Sequence, residues 1–174
     1  MNNRTLVVVD IQKEYTTPGR PFYLEQAGPS LKKAKEVLEA ARRQGWPIVH
    51  VKHLQDGDRF NPKSPLSDYV EEFRPLPGER EVVKGNFSSY SSPEFARIVA
   101  SAPEREYVVI GYGSTMCCLS TIVDGYHRGQ RFVFVRDASS AKKTVSMDEL
   151  SAHRAAVDIL SIYSKVVTAA ELFE

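Results

Sequence analysis

Three residues whose side chains could together cleave an acyl bond stand at the ends of apolar or glycine-rich segments. Asp10 follows the run Thr5–Val9, Lys84 follows a short apolar run, and Cys117 ends a glycine-rich segment. A thiolate is a nucleophile, a carboxylate can accept its proton, and an ammonium group can offset the negative charge that develops during attack. Together these residues predict a nucleophilic site, provided that the fold brings them into contact.

Cys117 stands where the turn GYGSTM leads into a predicted helix. The free N–H groups and the dipole of a helix N-terminus favour an anion, so this position is expected to lower the pKa of the thiol. The same N–H groups could hold an oxyanion. Cys118 begins the apolar face of the helix and is expected to be a small buried hydrophobic residue. The turn matches neither a dinucleotide-binding nor a Walker pattern, which disfavours nucleotide binding.

The elements that must position these residues begin with a series of apolar, mostly β-branched runs. Continuous apolar runs are typical of parallel strands that are covered on both faces. The sequence predicts such strands at Thr5–Val9, Pro47–Val51, Glu81–Val83, Tyr107–Ile110, Phe132–Val135 and Lys165–Thr168.

Helical periodicity fills the gaps between these strands. Helices are predicted over Leu31–Ala41, Leu119–Tyr126 and Leu150–Leu160, and a further one with Ser92 as N-cap and Pro93 at its first position. Strands that alternate with helices predict a doubly wound α/β fold with a parallel sheet between helical layers. Ligands of such folds bind beyond the carboxyl ends of the strands, which is where the three candidate residues stand.

Two further polar residues, His53 and Asp137, follow the second and the fifth predicted strand. After the second strand comes Leu54–Gly78, a connection of about 25 residues that is rich in Pro, Asp and Gly. A connection of that length in a compact domain is usually a lid or a binding element. Asp68–Phe73 within it is expected to close the pocket, either in the same chain or from a neighbouring subunit.

The composition is that of a soluble globular protein, and residues 1–174 are expected to form a single domain. The 23 Lys and Arg residues nearly balance the 22 Asp and Glu residues, which disfavours nucleic-acid binding. No segment approaches the ~18 apolar residues of a membrane span, and the first apolar stretch is too short for a signal peptide. Two cysteines do not make a disulfide framework. A cytoplasmic protein without membrane association is therefore expected.

Three segments of the chain, in this order, resemble those of the isochorismatase-like cysteine hydrolases, a family that includes nicotinamidases and N-carbamoylsarcosine amidases. The opening VVVDIQKEY resembles the family's Asp-x-Gln-x-x-Phe start, and VVKGNFSSY resembles its lysine-containing segment. GYGSTMCCLSTIVDGYHRGQRFVFVRDA resembles its Gly-x-x-Thr-x-x-Cys-Val segment with the helix and strand that follow. The likeness spans almost the whole chain, and the last segment is its most specific part.

This resemblance implies a catalytic triad of Asp10, Lys84 and Cys117 in a three-layer α/β/α fold, with a six-stranded parallel sheet of order 3-2-1-4-5-6. It also implies a cis peptide bond between Tyr112 and Gly113, with the backbone N–H groups of Gly113 and Cys117 as oxyanion donors. In that strand order Lys84 starts two strands away from Asp10, at about 10 Å, so its long side chain must cover the distance.

The chain departs from the family's pattern at several positions. Ser114 stands in place of the usual Thr, Thr115 in place of an acidic residue, and Cys118 in place of the common Val. These departures affect the choice of substrate more than the chemistry. Nicotinamidases share an Asp-x-His metal motif, whereas the matching stretch here, HVKHL, has no Asp. No catalytic metal and no cofactor are therefore expected, and nicotinamide becomes a weaker candidate substrate.

The pocket around the sulfur is expected to take a small, partly apolar amide. Gln12 is a candidate to hydrogen-bond a polar group of this substrate, and His53 is a further candidate if it faces the pocket. The aromatic candidates for the pocket walls, each with plain core packing as the alternative, are Tyr15, Phe87, Tyr90 and Tyr112.

The sequence thus predicts a cysteine-dependent hydrolase that cleaves a C–N bond of a small non-peptide amide or ureido compound through a thioester. The resemblance also implies a homodimer or a higher homo-oligomer. Two alternatives stay open: a thiol redox or sensor protein that uses Cys117 and Cys118, and a catalytically silent binding protein of the same fold. Adjacent cysteines lack the two-residue spacer of a Cys-x-x-Cys redox motif, which disfavours the first alternative.

Overall fold

The computed structural model describes residues 3–174, in which a six-stranded parallel sheet lies between two layers of helices. The strands are β1 Arg4–Val9, β2 Ile48–His53, β3 Arg80–Lys84, β4 Glu106–Tyr112, β5 Arg131–Ser140 and β6 Lys165–Val167. The α-helices are α1 Ala27–Arg43, α2 Pro93–Ala100, α3 Cys117–His127, α4 Glu149–Tyr163 and α5 Ala169–Leu172. The sheet order is β3-β2-β1-β4-β5-β6, so the predicted doubly wound architecture and its strand order are confirmed.

The two faces of the sheet carry separate hydrophobic cores, because successive residues of a strand point to opposite faces. In β1, Leu6 and Val8 pack with α1 and α5 on one face, while Val7 and Val9 pack with α2, α3 and α4 on the other. All four side chains are fully buried. Burial on both faces is the reason why this strand is a continuous apolar run rather than an alternating one.

The helices form where their periodicity predicts them, and their ends follow local backbone chemistry. α1 begins at Ala27 and is followed by Gly45, which takes a φ of +66°. Glycine adopts this left-handed conformation without a steric penalty, so it ends the helix. Ser92 is the N-cap of α2, since its side chain accepts a hydrogen bond from the N–H of Phe95, and Pro93 is the first helical residue, as predicted.

β5 is longer than its apolar run. The sequence predicts a strand over Phe132–Val135, but β5 continues to Ser140, and its pairing with β4 shifts in register after Val109. The added residues are mostly polar, so the apolar pattern does not reveal them. Asp137 consequently lies inside the strand rather than after it, and its carboxylate accepts a hydrogen bond from the N–H of Ala169 at 2.7 Å.

The long connection Leu54–Gly78 is packed against the body of the protein. It contains two short 3-10 turns and three buried aromatic residues, Phe60, Tyr69 and Phe73. The N–H of Val70 donates to the Ile11 carbonyl at 3.0 Å, and the N–H of Lys13 donates to the Asp68 carbonyl at 2.9 Å. These bonds anchor the segment to its own chain just after β1. Its role as a lid or as an intersubunit element stays a prediction.

Among residues 3–174, no helix is both long and apolar enough to cross a membrane. The cytoplasmic location stays a prediction. The predicted single domain includes residues 1 and 2, which lie outside the described part of the chain.

Candidate active site

The side chains of Asp10, Lys84 and Cys117 lie in contact at the carboxyl edge of the sheet. Lys84 Nζ is 2.9 Å from Asp10 Oδ2 and 3.3 Å from Cys117 Sγ. All three residues are buried, with exposed fractions of 0%, 1% and 3%. The structure therefore brings together the three residues that the sequence selected, and it buries a carboxylate and an ammonium as a pair beside a thiol.

Asp10 is positioned by an unusual backbone conformation directly after β1. Its φ is +51°, and its N–H donates to the carbonyl of Val51 in β2 at 3.0 Å. A non-glycine residue with a positive φ is uncommon, and such residues cluster at functional sites. The conformation ends β1 and leaves the carboxylate at the point where the strand order reverses, which is the usual ligand-binding position of such sheets.

Lys84 is the last residue of β3 and reaches the site across β2. Its neighbour in the ladder is His53, the last residue of β2. Two strand spacings amount to about 10 Å, and the long lysine side chain covers them. The distance between β3 and Asp10 is therefore no obstacle to the contact.

Cys117 is the first residue of α3, as predicted, and follows a closed turn. The peptide bond between Tyr112 and Gly113 is cis, as the resemblance implies. The Gly113 carbonyl accepts hydrogen bonds from the N–H groups of Met116 and Cys118, each at 3.1 Å. Within residues 3–174, the N–H groups of Gly113 and Cys117 have no acceptor, which leaves both available to an oxygen atom of a bound molecule.

Burial keeps Cys117 a neutral thiol at rest. Desolvation raises the pKa of the thiol, the charge of Asp10 raises it further, and the Lys84 ammonium opposes both effects. The expectation of a lowered pKa is therefore wrong, because the loss of water around the sulfur and the charge of Asp10 outweigh the Lys84 ammonium. Such a thiol needs a base before it can attack, and the neighbouring carboxylate of Asp10 is suited to that task.

Lys84 stays charged although it is buried. Burial alone would lower the pKa of its ammonium group, but the Asp10 carboxylate and the Cys117 sulfur raise it above the ordinary value. A buried charge is tolerated when it is both paired and hydrogen-bonded.

Two further acceptors hold the Lys84 ammonium. His53 Nδ1 lies 3.0 Å from Lys84 Nζ, and the Asn86 carbonyl accepts a hydrogen bond at 3.0 Å. His53 Nε2 lies 2.9 Å from Gln55 Oε1, so we assign the neutral tautomer with the proton on Nε2. His53 is thus connected to the site by its contact with the Lys84 ammonium. Its contact with a substrate stays a prediction. Sequence reasoning missed Asn86 because its contribution is a backbone carbonyl.

The Gln12 side chain is bound to backbone groups on both of its sides. Its Nε2 donates to the carbonyls of His53 and Ser67 at 2.9 and 2.6 Å, and its Oε1 accepts from the N–H of His53 at 2.9 Å. Gln12 therefore ties the end of β2 to the long connection that follows. The predicted hydrogen bond to a substrate would have to use the remaining lone pair of Oε1.

Two of the predicted aromatic residues, Tyr15 and Tyr112, pack against each other, with ring centroids 5.3 Å apart. Burial is the main cause that raises the pKa of Tyr15. The ring belongs to the same core cluster as Tyr112, and its contact with a substrate stays a prediction. The hydroxyl group of Tyr112 instead lies 3.0 Å from Ser30 Oγ. Its side chain belongs to the core on the opposite face of the sheet from Cys117, so the structure brings only its backbone to the site.

The other two predicted aromatic residues, Phe87 and Tyr90, lie on the connection between β3 and α2. Phe87 is 53% exposed on the connection after β3. Tyr90 packs edge-on against Phe95 at 5.1 Å and under the guanidinium group of Arg128 at 4.5 Å. For Tyr90 the structure therefore favours the alternative of plain packing, and a substrate contact of Phe87 stays a prediction.

Sequence reasoning did not predict two polar pairs, Glu14 with Arg20 and Ser114 with His153. Glu14 is fully buried, accepts two hydrogen bonds from Arg20 at 2.9 Å each, and accepts a third from the N–H of Phe60. Ser114 Oγ lies 2.8 Å from His153 Nδ1. No spacing rule connects the members of either pair, so a single sequence carries no signal for them.

Both cysteines are free thiols, and Cys118 is fully buried in the core, as predicted. Residues 3–174 contain no group of three or more His, Cys, Asp or Glu side chains arranged to hold a metal ion.

The chain is similar to proteins of known family along nearly its whole length. The family model for the isochorismatase domain matches residues 4–171. Maleamate amidohydrolase of Pseudomonas putida is 26% identical over 94% of this chain and 82% of that protein. Ureidoacrylate amidohydrolase of Azorhizobium caulinodans is 27% identical over 77% of this chain and 74% of that protein. The crystal structure of an isochorismatase from Pseudomonas putida superposes with a TM-score of 0.86 at 24% identity, covering 97% of this chain and 89% of that one.

Proposed function

Because the chain belongs to the isochorismatase family, we propose that it is a cysteine-dependent hydrolase that cleaves a C–N bond of a small non-peptide amide or ureido compound. The observation that carries this proposal is the contact of the Lys84 ammonium with both the Asp10 carboxylate and the Cys117 sulfur, at 2.9 and 3.3 Å. The curated relatives that are amidohydrolases support the same reaction class.

The proposed reaction begins with transfer of the Cys117 thiol proton to Asp10. The thiolate then attacks the carbonyl carbon, and the N–H groups of Gly113 and Cys117 hold the oxyanion. Lys84 offsets the negative charge that has moved onto the sulfur and the substrate. As the C–N bond breaks, Asp10 returns its proton to the leaving nitrogen, so that an amine or ammonia departs and a thioester remains.

Hydrolysis of the thioester completes the cycle. Asp10 is again a carboxylate and takes a proton from a water molecule, whose oxygen attacks the thioester carbon. The C–S bond breaks, the sulfur recovers the proton from Asp10, and the product leaves as a carboxylic or carbamic acid. The enzyme therefore ends each cycle with the protonation states from which it started.

The substrate class can be narrowed by a screen for ammonia release. The panel contains ureido compounds, maleamate, nicotinamide and simple aliphatic amides. The names of the relatives favour small ureido and maleamate-type amides over nicotinamide. Ammonia release from at least one of these groups is expected, and a panel without any turnover contradicts the proposed function.

Replacement of the nucleophile tests the mechanism. We expect Cys117→Ala to reduce turnover of an active amide by about a thousandfold or more, because no other group can form the thioester. Cys118→Ala is the matched control, since Cys118 is a buried neighbour on the same helix, and it should keep most of the activity. Circular dichroism should show that both variants are folded. Full activity of Cys117→Ala contradicts the mechanism.

A further inference from the structure

Ser114, which is not one of the three triad residues, anchors the turn that precedes Cys117. Its side-chain oxygen lies 2.8 Å from His153 Nδ1 in α4, and its N–H donates to the carbonyl of Ser140 in β5 at 2.8 Å. Ser114 is fully buried. One residue of the turn is thus tied to two separate elements, and neither tie involves Asp10, Lys84 or the sulfur.

The hydrogen bond between His153 and Arg136 identifies the donor and the acceptor in the bond between His153 and Ser114. His153 Nε2 lies 2.9 Å from the carbonyl oxygen of Arg136, which can only accept, so Nε2 carries the proton. Nδ1 is then the acceptor and the Ser114 hydroxyl the donor. Burial lowers the pKa of His153, in keeping with a neutral ring, and the ring also lies against Phe134 with centroids 6.5 Å apart.

The position of Ser114 in the turn matters for oxyanion binding. Gly113, which precedes it, and Cys117, which follows three residues later, each carry a backbone N–H group that has no acceptor among residues 3–174. Backbone donors stabilise an oxyanion efficiently only when they are fixed before the reaction, and a displacement of about 1 Å can cost about a hundredfold in rate.

We infer that Ser114 and His153 are positioning residues, which hold the N–H groups of Gly113 and Cys117 where the oxyanion of the acyl intermediate forms. This inference rests on the proposed function. Neither side chain contacts the reacting atoms or exchanges a proton with them. Their effect is to fix the turn between β4 and α3 to β5 and α4.

The test compares two reactions of the same sulfur. Amide hydrolysis passes through an oxyanion, whereas alkylation of Cys117 by iodoacetamide is a displacement at a saturated carbon and forms none. Ser114→Ala removes the donor, and His153→Phe keeps a ring against Phe134 but removes the acceptor. Both variants should lower kcat by about 10- to 100-fold with KM nearly unchanged, while the alkylation rate stays within about twofold.

Conservative variants provide the rescue. Ser114→Thr keeps a hydroxyl group, and His153→Asn places Oδ1 at the same number of bonds from Cβ as the histidine Nδ1. Each should restore kcat to within about fivefold of the parent enzyme. His127→Phe is the matched control, because His127 lies on an exposed position of α3, and it should leave both reactions unchanged.

Two results overturn the inference in folded variants. Parallel losses in hydrolysis and alkylation would mean that the pair only supports the fold around the sulfur. Unchanged kcat in Ser114→Ala would mean that the turn does not need this bond.

A measurement on the unmodified protein tests the inference even when the variants do not fold or when no amide is hydrolysed. Nitrogen-15 NMR of labelled histidine should show His153 as the neutral Nε2–H tautomer with Nδ1 as an acceptor, and an Nδ1–H tautomer overturns the inference. Because this readout needs no substrate, an empty amide screen together with the Nε2–H tautomer would contradict the proposed function alone.

Discussion

The Lys84 ammonium has three protons and four acceptor atoms within 3.3 Å: Asp10 Oδ2, His53 Nδ1, the Asn86 carbonyl oxygen and Cys117 Sγ. Hydrogen bonds join the ammonium to His53, Asn86 and the Cys117 sulfur, and its contact with Asp10 is an ion pair. In the proposed mechanism the thiol gives its proton to Asp10, so the negative charge moves from the carboxyl group to the sulfur. Lys84 thus lies beside the negative charge both before and after the proton moves.

Replacement of Asp10 by Asn separates the charge of this residue from its capacity to take a proton. The charge of Asp10 raises the pKa of Cys117. In Asp10→Asn that charge is absent while Lys84 remains, so the pKa of the thiol should fall. Alkylation by iodoacetamide, followed against pH by peptide mass spectrometry, should therefore shift to lower pH. Amide hydrolysis should nevertheless fall about a hundredfold or more, since the base is missing.

The alkylation and hydrolysis measurements test separate parts of this prediction. A pH profile of alkylation that does not shift contradicts the effect of the Asp10 charge on the thiol pKa, and retained hydrolysis contradicts Asp10 as the base.

Asp10, Lys84 and Cys117 could be chosen from the sequence because each is a reactive residue type at a strand end or a glycine-rich turn. The direction of the Cys117 pKa shift could not be predicted, because it depends on how completely the folded chain excludes water.

Among the elements, β1 and β4 approach closely where Gly111 faces Val9. A Cβ atom at Gly111 would lie 2.0 Å from the Val9 carbonyl oxygen, and Gly111 has a φ of +119°. We expect Gly111→Ala to lower the free energy of unfolding by about 3 kcal/mol or more, because both the contact and the backbone conformation are unfavourable. Urea denaturation measures this loss, and activity should fall with it because Asp10 directly follows Val9.

Gly129 is the control for the conformational part of this loss. It also has a positive φ, +76°, but a Cβ atom there would meet nothing within 4 Å. Gly129→Ala should therefore cost only about 1 kcal/mol. Similar losses for the two variants would mean that the close approach of β1 and β4 does not matter for stability.

Whether an element could be predicted from the sequence depended on the interactions that hold it in place. β1 and β4 could be located because burial on both faces requires continuous apolar runs. The end of β5 and the packing of Leu54–Gly78 could not be predicted from the sequence. Backbone hydrogen bonds and scattered aromatic residues hold these parts of the chain in place, and neither leaves a periodic pattern. The turn that orients Cys117 could be located by its glycines, but its tie to His153 depends on tertiary structure.

Across the whole molecule, the carboxylate of Glu79 links α1, β2 and the long connection. It accepts hydrogen bonds from Arg42 Nε at 2.7 Å and from the N–H of Leu76 at 2.9 Å, and it lies 2.7 Å from His50 Nε2. Burial raises the pKa of Glu79, but Arg42, the Leu76 amide and His50 together lower it to about 2. The carboxylate is therefore a stabilising group whose effect depends on pH.

Glu79→Gln should destabilise the protein at neutral pH and much less in acid. The carboxyl group has a pKa of 4.5 as the ordinary value and about 2 in the folded protein. Its contribution is thus complete above pH 4.5 and is lost as the pH falls towards 2. The shift corresponds to at most about 3 kcal/mol, so a loss of about 1–3 kcal/mol at pH 7 is expected.

Urea denaturation at pH 7 and pH 3 measures this difference. Glu36→Gln is the control, because the Lys33–Glu36 ion pair is exposed and should contribute less than about 1 kcal/mol at either pH. An equal loss for Glu79→Gln at both pH values contradicts the role assigned to its charge.

The burial of the Cys117 sulfur also affects how quickly peroxide oxidises this cysteine. Peroxide attacks thiolates far more readily than thiols, and oxidant-sensing cysteines are accessible and acidic. A sulfur that is 3% exposed, and whose pKa is raised, has neither property. The protein is thus poorly suited to sensing oxidants, and in the proposed mechanism the sulfur is shielded from irreversible oxidation between one turnover and the next.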